Sequence, residues 1–421
     1  MKRFLFACII LVFPFLWRCA FAYTTGCTPI SGGTCYQSSA TYSDISNAVT
    51  ASSSGDTIRI SAGTATFTSA ITVSKGLYII GAGEGSTTIN INYADGGTFS
   101  LDSSDYIELS DMTFTGSFTA WNGTVRIEED NTRVYNITFN LSADRHAVKV
   151  SAFSNVLIDN CTFTGSTRGI NVYGSTSYWT TSADFAPGSS TGVYIEDCTF
   201  NASNVEVVDL NLGNGYILRH CTIANGGNVA QHGADSGQRS GGWVEIYENN
   251  FTNSGSEVSQ AINIRGGTQI IYNNTFDTGK YGTAIRLVYY RTCYNINSGS
   301  VSYHVDNANR CENGSSNPLD GDENPPNNGW PCKDQIGRGP NQAQYPSYEW
   351  GNKWADTSDV DFGVSDPWGC SSPSMTDHIA ADRDYYNDTE RPSYAAYTYP
   401  HPLRGDVGAI QGCTISGGSV Q

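Results

Sequence analysis

Leu157-Ile158-Asp159-Asn160-Cys161-Thr162-Phe163 and Tyr194-Ile195-Glu196-Asp197-Cys198-Thr199-Phe200 are one phrase written twice. It also stands at Ile107-Glu108-Leu109-Ser110-Asp111-Met112-Thr113-Phe114 and Arg133-Val134-Tyr135-Asn136-Ile137-Thr138-Phe139. Further on it returns as Ile217-Leu218-Arg219-His220-Cys221-Thr222-Ile223, Glu245-Ile246-Tyr247-Glu248-Asn249-Asn250-Phe251 and Ile270-Ile271-Tyr272-Asn273-Asn274-Thr275-Phe276. One aligned column reads Met112, Ile137, Cys161, Cys198, Cys221, Asn249, Asn274, and the column two places on is Phe at every position but Ile223. Steps along the first column are 25, 24, 37, 23, 28 and 25 residues. The step of 37 holds the Ser/Thr/Gly-rich segment 175–190, and the step of 28 holds 231–242, so both read as loops inserted into a regular unit. A short β-rich unit repeated at this period is one coil of a solenoid, too thin to bury its own apolar face until others stack on it. Stacked coils place equivalent residues above one another at ~4.8 Å. The spacing therefore predicts a Phe column and an inward Cys/Asn column, with the Asn amides bonded into a ladder.

A second strand follows in most coils: Ala147-Val148-Lys149-Val150, Gly169-Ile170-Asn171-Val172, Val207-Val208-Asp209-Leu210, Ala261-Ile262-Asn263-Ile264 and Ala284-Ile285-Arg286-Leu287. Alternation sends their polar centres outward in one column. Before the coils, Ser43–Val49 suits a short amphipathic helix that would cover the first open strand edges.

Composition agrees. Glycine is 45 of 421 residues and charged residues only 15%, which suits strands and turns and argues against helical bundles. A formal charge of -17 argues against nucleic acid and against an anionic membrane surface as partners. Residues 1–22 read as a signal peptide: Lys2 and Arg3, an apolar run from Phe4 to Trp17, and Ala20-Phe21-Ala22 as cleavage site. That run is short for a membrane span, and no other stretch is apolar enough, so no integral span is expected. Cleavage would leave 20 basic against 40 acidic residues and ten of the twelve cysteines. Export makes disulfides plausible, with Cys27–Cys35 as one local staple and Cys293, Cys311, Cys332 and Cys370 as two more. Cys161, Cys198 and Cys221 are expected as buried thiols.

The strings GDTIRISAG (55–63) and GLYIIGAGEGSTTI (76–89), together with the repeated NCTF and NNTF coils, resemble secreted bacterial right-handed parallel β-helix proteins of the pectate-lyase-like superfamily. The resemblance covers about residues 42–290. GWPCKDQIGRG (329–339) and RDYYNDTERPSYAAYTYPHPL (383–403) resemble the C-terminal parts of a bacterial β-helix group. What the resemblance implies about activity is broad, since the superfamily includes lyases, hydrolases, epimerases, phage spikes and adhesins. The expected fold is all-β: a single-stranded right-handed parallel β-helix, or solenoid, with an N-terminal helical cap and an irregular C-terminal appendage. The expected divisions are a signal peptide (1–22), an N-terminal disulfide segment (23–41), the β-helix (42–290) and a disulfide-stapled appendage (291–421) packed on it.

Chemistry is expected on the outward column Lys149, Asn171, Asp209, Asn263, Arg286 and the loop beside it. Asp209, His232, Asp235, Arg239, Arg265 and Arg286 would fall within about three coils, roughly 15 Å, as the candidate catalytic set. A β-eliminating lyase needs a base, for which His232 is the candidate, and cations on the substrate carboxylate, for which Arg265, Arg286 or calcium would serve. A glycoside hydrolase needs two carboxylates, which Asp209 and Asp235 would supply. Gln231-His232-Gly233 is a poor match to the Gly-His-Gly pattern of polygalacturonases. Against these readings stands the ordinary one: outward polar residues such as Asp209 and Lys149 are solvated by default, and His232 and Arg265 lie in turn-like sequence. Asp320, Asp322 and Asn324 form an oxygen-rich stretch where calcium could bind, though Pro325 stands where a calcium loop wants Gly. No cofactor is required. The expected role is engagement of extracellular polysaccharide by a secreted protein, with cleavage by a lyase or glycoside hydrolase reaction; the alternative is a non-catalytic surface or adhesive solenoid.

Overall fold

Each repeat makes one coil with three faces. In a representative coil, Val156–Asp159 is a strand of the first face, Thr162–Gly165 of the second and Arg168–Tyr173 of the third. The computed structural model describes residues 23–142, 145–151, 155–174, 188–190, 192–202, 206–211, 214–231, 243–264, 268–288, 347–365, 385–387 and 393–404. Among the described residues a 21-stranded sheet bends at a corner to give the first two faces, and a separate ten-stranded sheet gives the third. Pairing between coils is parallel and in the register of the repeat, as in Phe114↔Phe139↔Phe163↔Phe200.

The corner between the first and second faces has a cause visible in the repeat. Asp111, Asn136, Asn160, Asp197, His220, Glu248, Asn273 and Gly351 hold φ between +49° and +61°, one residue in each successive coil. Asn, Asp and Gly tolerate that left-handed conformation, which turns the chain sharply. The residue after each corner points inward. Cys161, Cys198 and Cys221 are buried free thiols, and Asn249, Asn274 and Asn352 form the ladder: Asn249 Nδ2 donates to Asn274 Oδ1 at 3.0 Å, and Asn274 Nδ2 to Asn352 Oδ1 at 2.9 Å. Two residues on, the rings of Phe114, Phe139, Phe163 and Phe200 stack at 5.2, 4.9 and 4.7 Å.

The expected helix is Tyr42–Ala51. Thr41 accepts from the Asp44 amide at its start, and Lys75 Nζ donates to the carbonyls of Val49, Thr50 and Ser52 at its end. Its Ile45, Ala48 and Val49 join the apolar interior of the first coils. The Cys27–Cys35 disulfide is formed. Residues 1–22 and the cysteines at 293, 311, 332 and 370 lie outside the described residues.

The coils do not stop at residue 290. Ser347–Trp350 pairs in parallel with the first-face strand Thr268–Tyr272, Lys353–Trp354 with Thr275–Phe276, and Phe362–Ser365 with Tyr281–Val288. Gly351-Asn352-Lys353-Trp354 repeats the roles of Asn273-Asn274-Thr275-Phe276, with a corner residue, an inward amide, an outward polar group and an inward ring. The sequence reading missed this coil because 56 residues of unrelated composition (291–346) intervene. Tyr386 extends the first face once more by pairing with Tyr348.

Candidate functional site

The third face carries the expected outward column. Lys149, Asn171 and Asp209 are successive register partners, followed by Ala230, Asn263 and Arg286. Asp209 is not the solvated residue that its outward position suggests, since it is only 4% exposed. Asn171 Nδ2 and Asn211 Nδ2 both donate to its Oδ2, at 3.0 and 2.8 Å. His146 Nε2 lies 3.8 Å from the same oxygen, and His146 is equally buried. Two amide donors and a nearby imidazole thus surround one buried carboxylate oxygen.

Arg286 stands three coils from Asp209, about 14 Å away at the strand spacing, and Arg286 Nη1 donates to Gln260 Oε1 at 3.4 Å. The two residues therefore share a column without meeting. Lys149 Nζ sits 4.7 Å from the centre of the Tyr173 ring. Burial and the nearby Asp209 carboxylate raise the Tyr173 phenol. His232, Asp235, Arg239, Arg265, Asp320, Asp322 and Asn324 lie outside the described residues.

Sequence reasoning missed His146. The alternation that points Val148 and Val150 inward would send His146 inward too. Instead its ring lies 6.2 Å from that of Trp121, the most exposed large apolar side chain of the described residues at 57%. The Arg145 guanidinium lies over the Trp121 ring at 4.1 Å and that of Arg168 at 5.7 Å; Arg168 is also paired with Glu206. An exposed indole, three nearby cations and a buried carboxylate–imidazole pair thus share one face.

The first face holds a denser set of charges, and the chain covers it with its own residues. Asp159, Glu196 and Arg219 follow one another in register. Arg133 clamps Asp159 through Nε and Nη2 at 2.9 and 3.0 Å. Residues 393–404 run across this face. Arg404 Nε lies 3.1 Å from Asp159 and 3.3 Å from Glu196, and Arg404 also pairs with Asp197. The His401 amide donates to Glu196 at 3.1 Å, and Tyr394 donates to Glu245. Arg219, fully buried, bonds Glu196 and donates to the carbonyls of Tyr397 and Thr398 at 2.7 and 2.8 Å. Three carboxylates face three guanidinium groups, one of them brought by the strap. Burial raises the Glu196 carboxyl despite Arg219 and Arg404, and burial beside Arg219 pushes the His401 imidazole down to about 4. These residue types resemble a catalytic centre, but their partners are the chain's own backbone and side chains, and what they accomplish is to hold the strap.

Among the described residues no group of His, Cys, Asp and Glu has the geometry of a metal site, and no helix is long and apolar enough to cross a membrane. No family model matches the sequence, and no curated protein matches it. Among solved structures the chain is similar to ORF18 of Geobacillus virus E2, at 15% identity and a TM-score of 0.26, over 59% of this chain and 53% of that one. The chain spans about half the length of that protein, and so slight a likeness carries no argument. None of these comparisons joins the chain to the pectate-lyase-like superfamily; the parallel β-solenoid itself is what stands.

Proposed function

We propose that the protein is exported, engages extracellular polysaccharide along the third face, and cleaves it there. The observation that carries this reading is the Asp209–His146 pair, buried on an outward face beside the exposed ring of Trp121. Indole faces stack on the apolar faces of sugar rings while leaving their hydroxyls wet. A carboxylate beside an imidazole can serve as an acid–base pair toward a bound glycan. Asp209 is assigned the proton-accepting role, His146 its positioning and relay, and Arg145, Arg168 and Lys149 the binding of acidic or hydroxyl groups. Calcium has no assigned role among these residues.

A second reading, a non-catalytic adhesive solenoid, is favoured by one observation: within this outward column Asp209 is the only carboxylate among the described residues. The experiment separates them. Purified protein is incubated with a panel of neutral and acidic polysaccharides, with and without chelator, and both unsaturated product and reducing ends are followed. The cleavage reading expects product that disappears in Asp209→Asn, with binding retained, and binding that weakens in Trp121→Ala. Binding without product in the wild type, unchanged in Asp209→Asn, supports the adhesive reading.

A further inference from the structure

The corner between the first and second faces carries a group of side chains that the third-face site does not use. Asn160, Asp197, His220, Glu248 and Asn273 stand there in successive coils, about 4.8 Å apart, and all are exposed or half-buried. The strap reaches this corner with Tyr399, whose ring rests on that of His220.

Two features of the corner are not explained by packing. The first is Glu248. Every other residue of this corner, from Asp111 to Gly351, is Asn, Asp, His or Gly, the types that accept a positive φ. Glu is not among them, yet Glu248 is held at φ +56°. Its side chain is 43% exposed and reaches to 3.3 Å from His220 Nε2 in the coil before. Little is buried in return for the strained backbone. Strain of this kind, held in place by a rigid scaffold, gathers at functional sites.

The second is Tyr399. Tyr394, Tyr397, His401 and Arg404 of the strap are buried or half-buried, whereas Tyr399 is 43% exposed. Of the large apolar side chains among the described residues, Trp121 alone is more open. The Tyr399 ring is nevertheless fixed. Its hydroxyl donates to Asp197, at 2.9 Å from each carboxylate oxygen, and its centre lies 3.6 Å from that of the His220 imidazole. The Arg219 and Arg404 guanidinium carbons are 5.3 and 5.8 Å from the ring centre. A ring clamped in place and open to water loses little freedom when a ligand settles on it.

An open aromatic face beside polar side chains suits a sugar ring. The aromatic face takes the C–H side of the sugar, and the polar groups take the hydroxyls at its rim. A carboxylate, with two acceptor oxygens, can accept from two neighbouring hydroxyls. Asp197 is already paired with Arg404, so Glu248 is the carboxylate of this group that lacks a guanidinium partner. Its charge repels uronates and sulfated sugars and leaves neutral ones.

We propose that this corner is a second carbohydrate-binding site, which takes a neutral sugar ring on Tyr399 and bonds its hydroxyls through Glu248 and the neighbouring corner residues. The site stands apart from the third face and does not depend on cleavage there. It is complete only while the strap is seated, because Asp197 and Tyr399 lie 202 residues apart in the chain.

The test is affinity electrophoresis of the full chain in native gels that each contain one soluble polymer: arabinoxylan, galactomannan or laminarin, with polygalacturonate as the acidic comparison. Trp121→Ala serves as the parent, because it removes the aromatic platform of the third face. At least one neutral polymer is expected to retard the parent. Adding Tyr399→Ala should weaken that affinity roughly three- to tenfold and leave the affinity for polygalacturonate unchanged. Tyr399→Phe, which keeps the ring, should bind as the parent does. Glu248→Asn, a residue that suits the corner backbone, should melt no lower than the parent and yet bind neutral polymer more weakly. Should Tyr399→Ala loosen the strap, seen as new chymotrypsin cuts at Tyr394 or Tyr397, Glu248→Asn carries the test, since its side chain meets His220 and not the strap. A parent that no neutral polymer retards overturns the proposal, as does unchanged affinity in a folded Glu248→Asn variant. Full wild-type retardation in Trp121→Ala, lost on adding Tyr399→Ala, would uphold this corner and remove the third-face reading, so the two stand or fall separately.

Discussion

Replacing Arg219 by Met is the sharpest perturbation of the strapped face. Met matches much of the volume but removes the charge. Glu196 would keep the Arg404 guanidinium at 3.3 Å and the His401 amide, and would lose its closest cation. The Tyr247 hydroxyl and the carbonyls of Tyr397 and Thr398 would lose a donor as well. Both Arg219 and Glu196 are fully buried, so surface screening does not soften the loss. Breaking a buried ion pair by removing one partner costs about 3–5 kcal/mol. At ~2–4 °C per kcal/mol for a domain of this size, the melting temperature should fall by roughly 6–20 °C. If the strap lifts instead, water reaches Glu196 and the global loss shrinks, but the half-buried Tyr394 and Tyr397 become accessible to chymotrypsin. Melting by circular dichroism and timed chymotrypsin digestion with mass mapping of the 393–404 cuts should therefore be read together. A double variant Arg219→Met/Glu196→Gln should melt above Arg219→Met alone, because it no longer buries an ill-paired charge. An Arg219→Met protein that melts within about 2 °C of wild type, a shift worth no more than ~1 kcal/mol, and keeps its strap protected would refute the assignment of the network as the strap's anchor.

Phe163→Ala removes the middle ring of the stack between Phe139 and Phe200 and should destabilise by about 3–5 kcal/mol, measured by urea melts, with unfolding spreading from that coil. Asn274→Ala takes the acceptor from the Asn249 backbone amide and the side-chain donor from the Ile246 carbonyl, besides breaking the rungs to Asn249 Nδ2 and Asn352 Oδ1, and should cost about 1–3 kcal/mol per group left unsatisfied in the same assay. For His401, whose imidazole is held down at about 4 against an ordinary 6.5, the folded state binds fewer protons than the unfolded one in that window. Its contribution to stability is whole above 6.5 and is lost as pH falls towards 4, so the melting temperature of wild type should drop faster over that range than that of His401→Phe. The buried thiols of Cys161, Cys198 and Cys221 should resist a thiol reagent in the native protein and react on denaturation, followed by mass shift.

The repeat settled the architecture without help from tertiary structure. A phrase recurring at the length of one coil admits only a stack, so the Phe column, the inward thiols and the Asn ladder were legible residue by residue. So was the outward placement of Asp209 and Arg286. Local alternation could not show that Asp209 is buried, that His146 turns towards it, or that Trp121 stands beside the pair. Those depend on residues from different coils, whose side chains take directions that no single strand specifies. The strap was hidden for the same reason. Asp159, Glu196 and Arg219 look like incidental members of the repeated phrase until Arg404, some two hundred residues later, crosses them. Pattern within the chain fixes what stacks; only the folded chain decides which outward groups meet water and which meet each other.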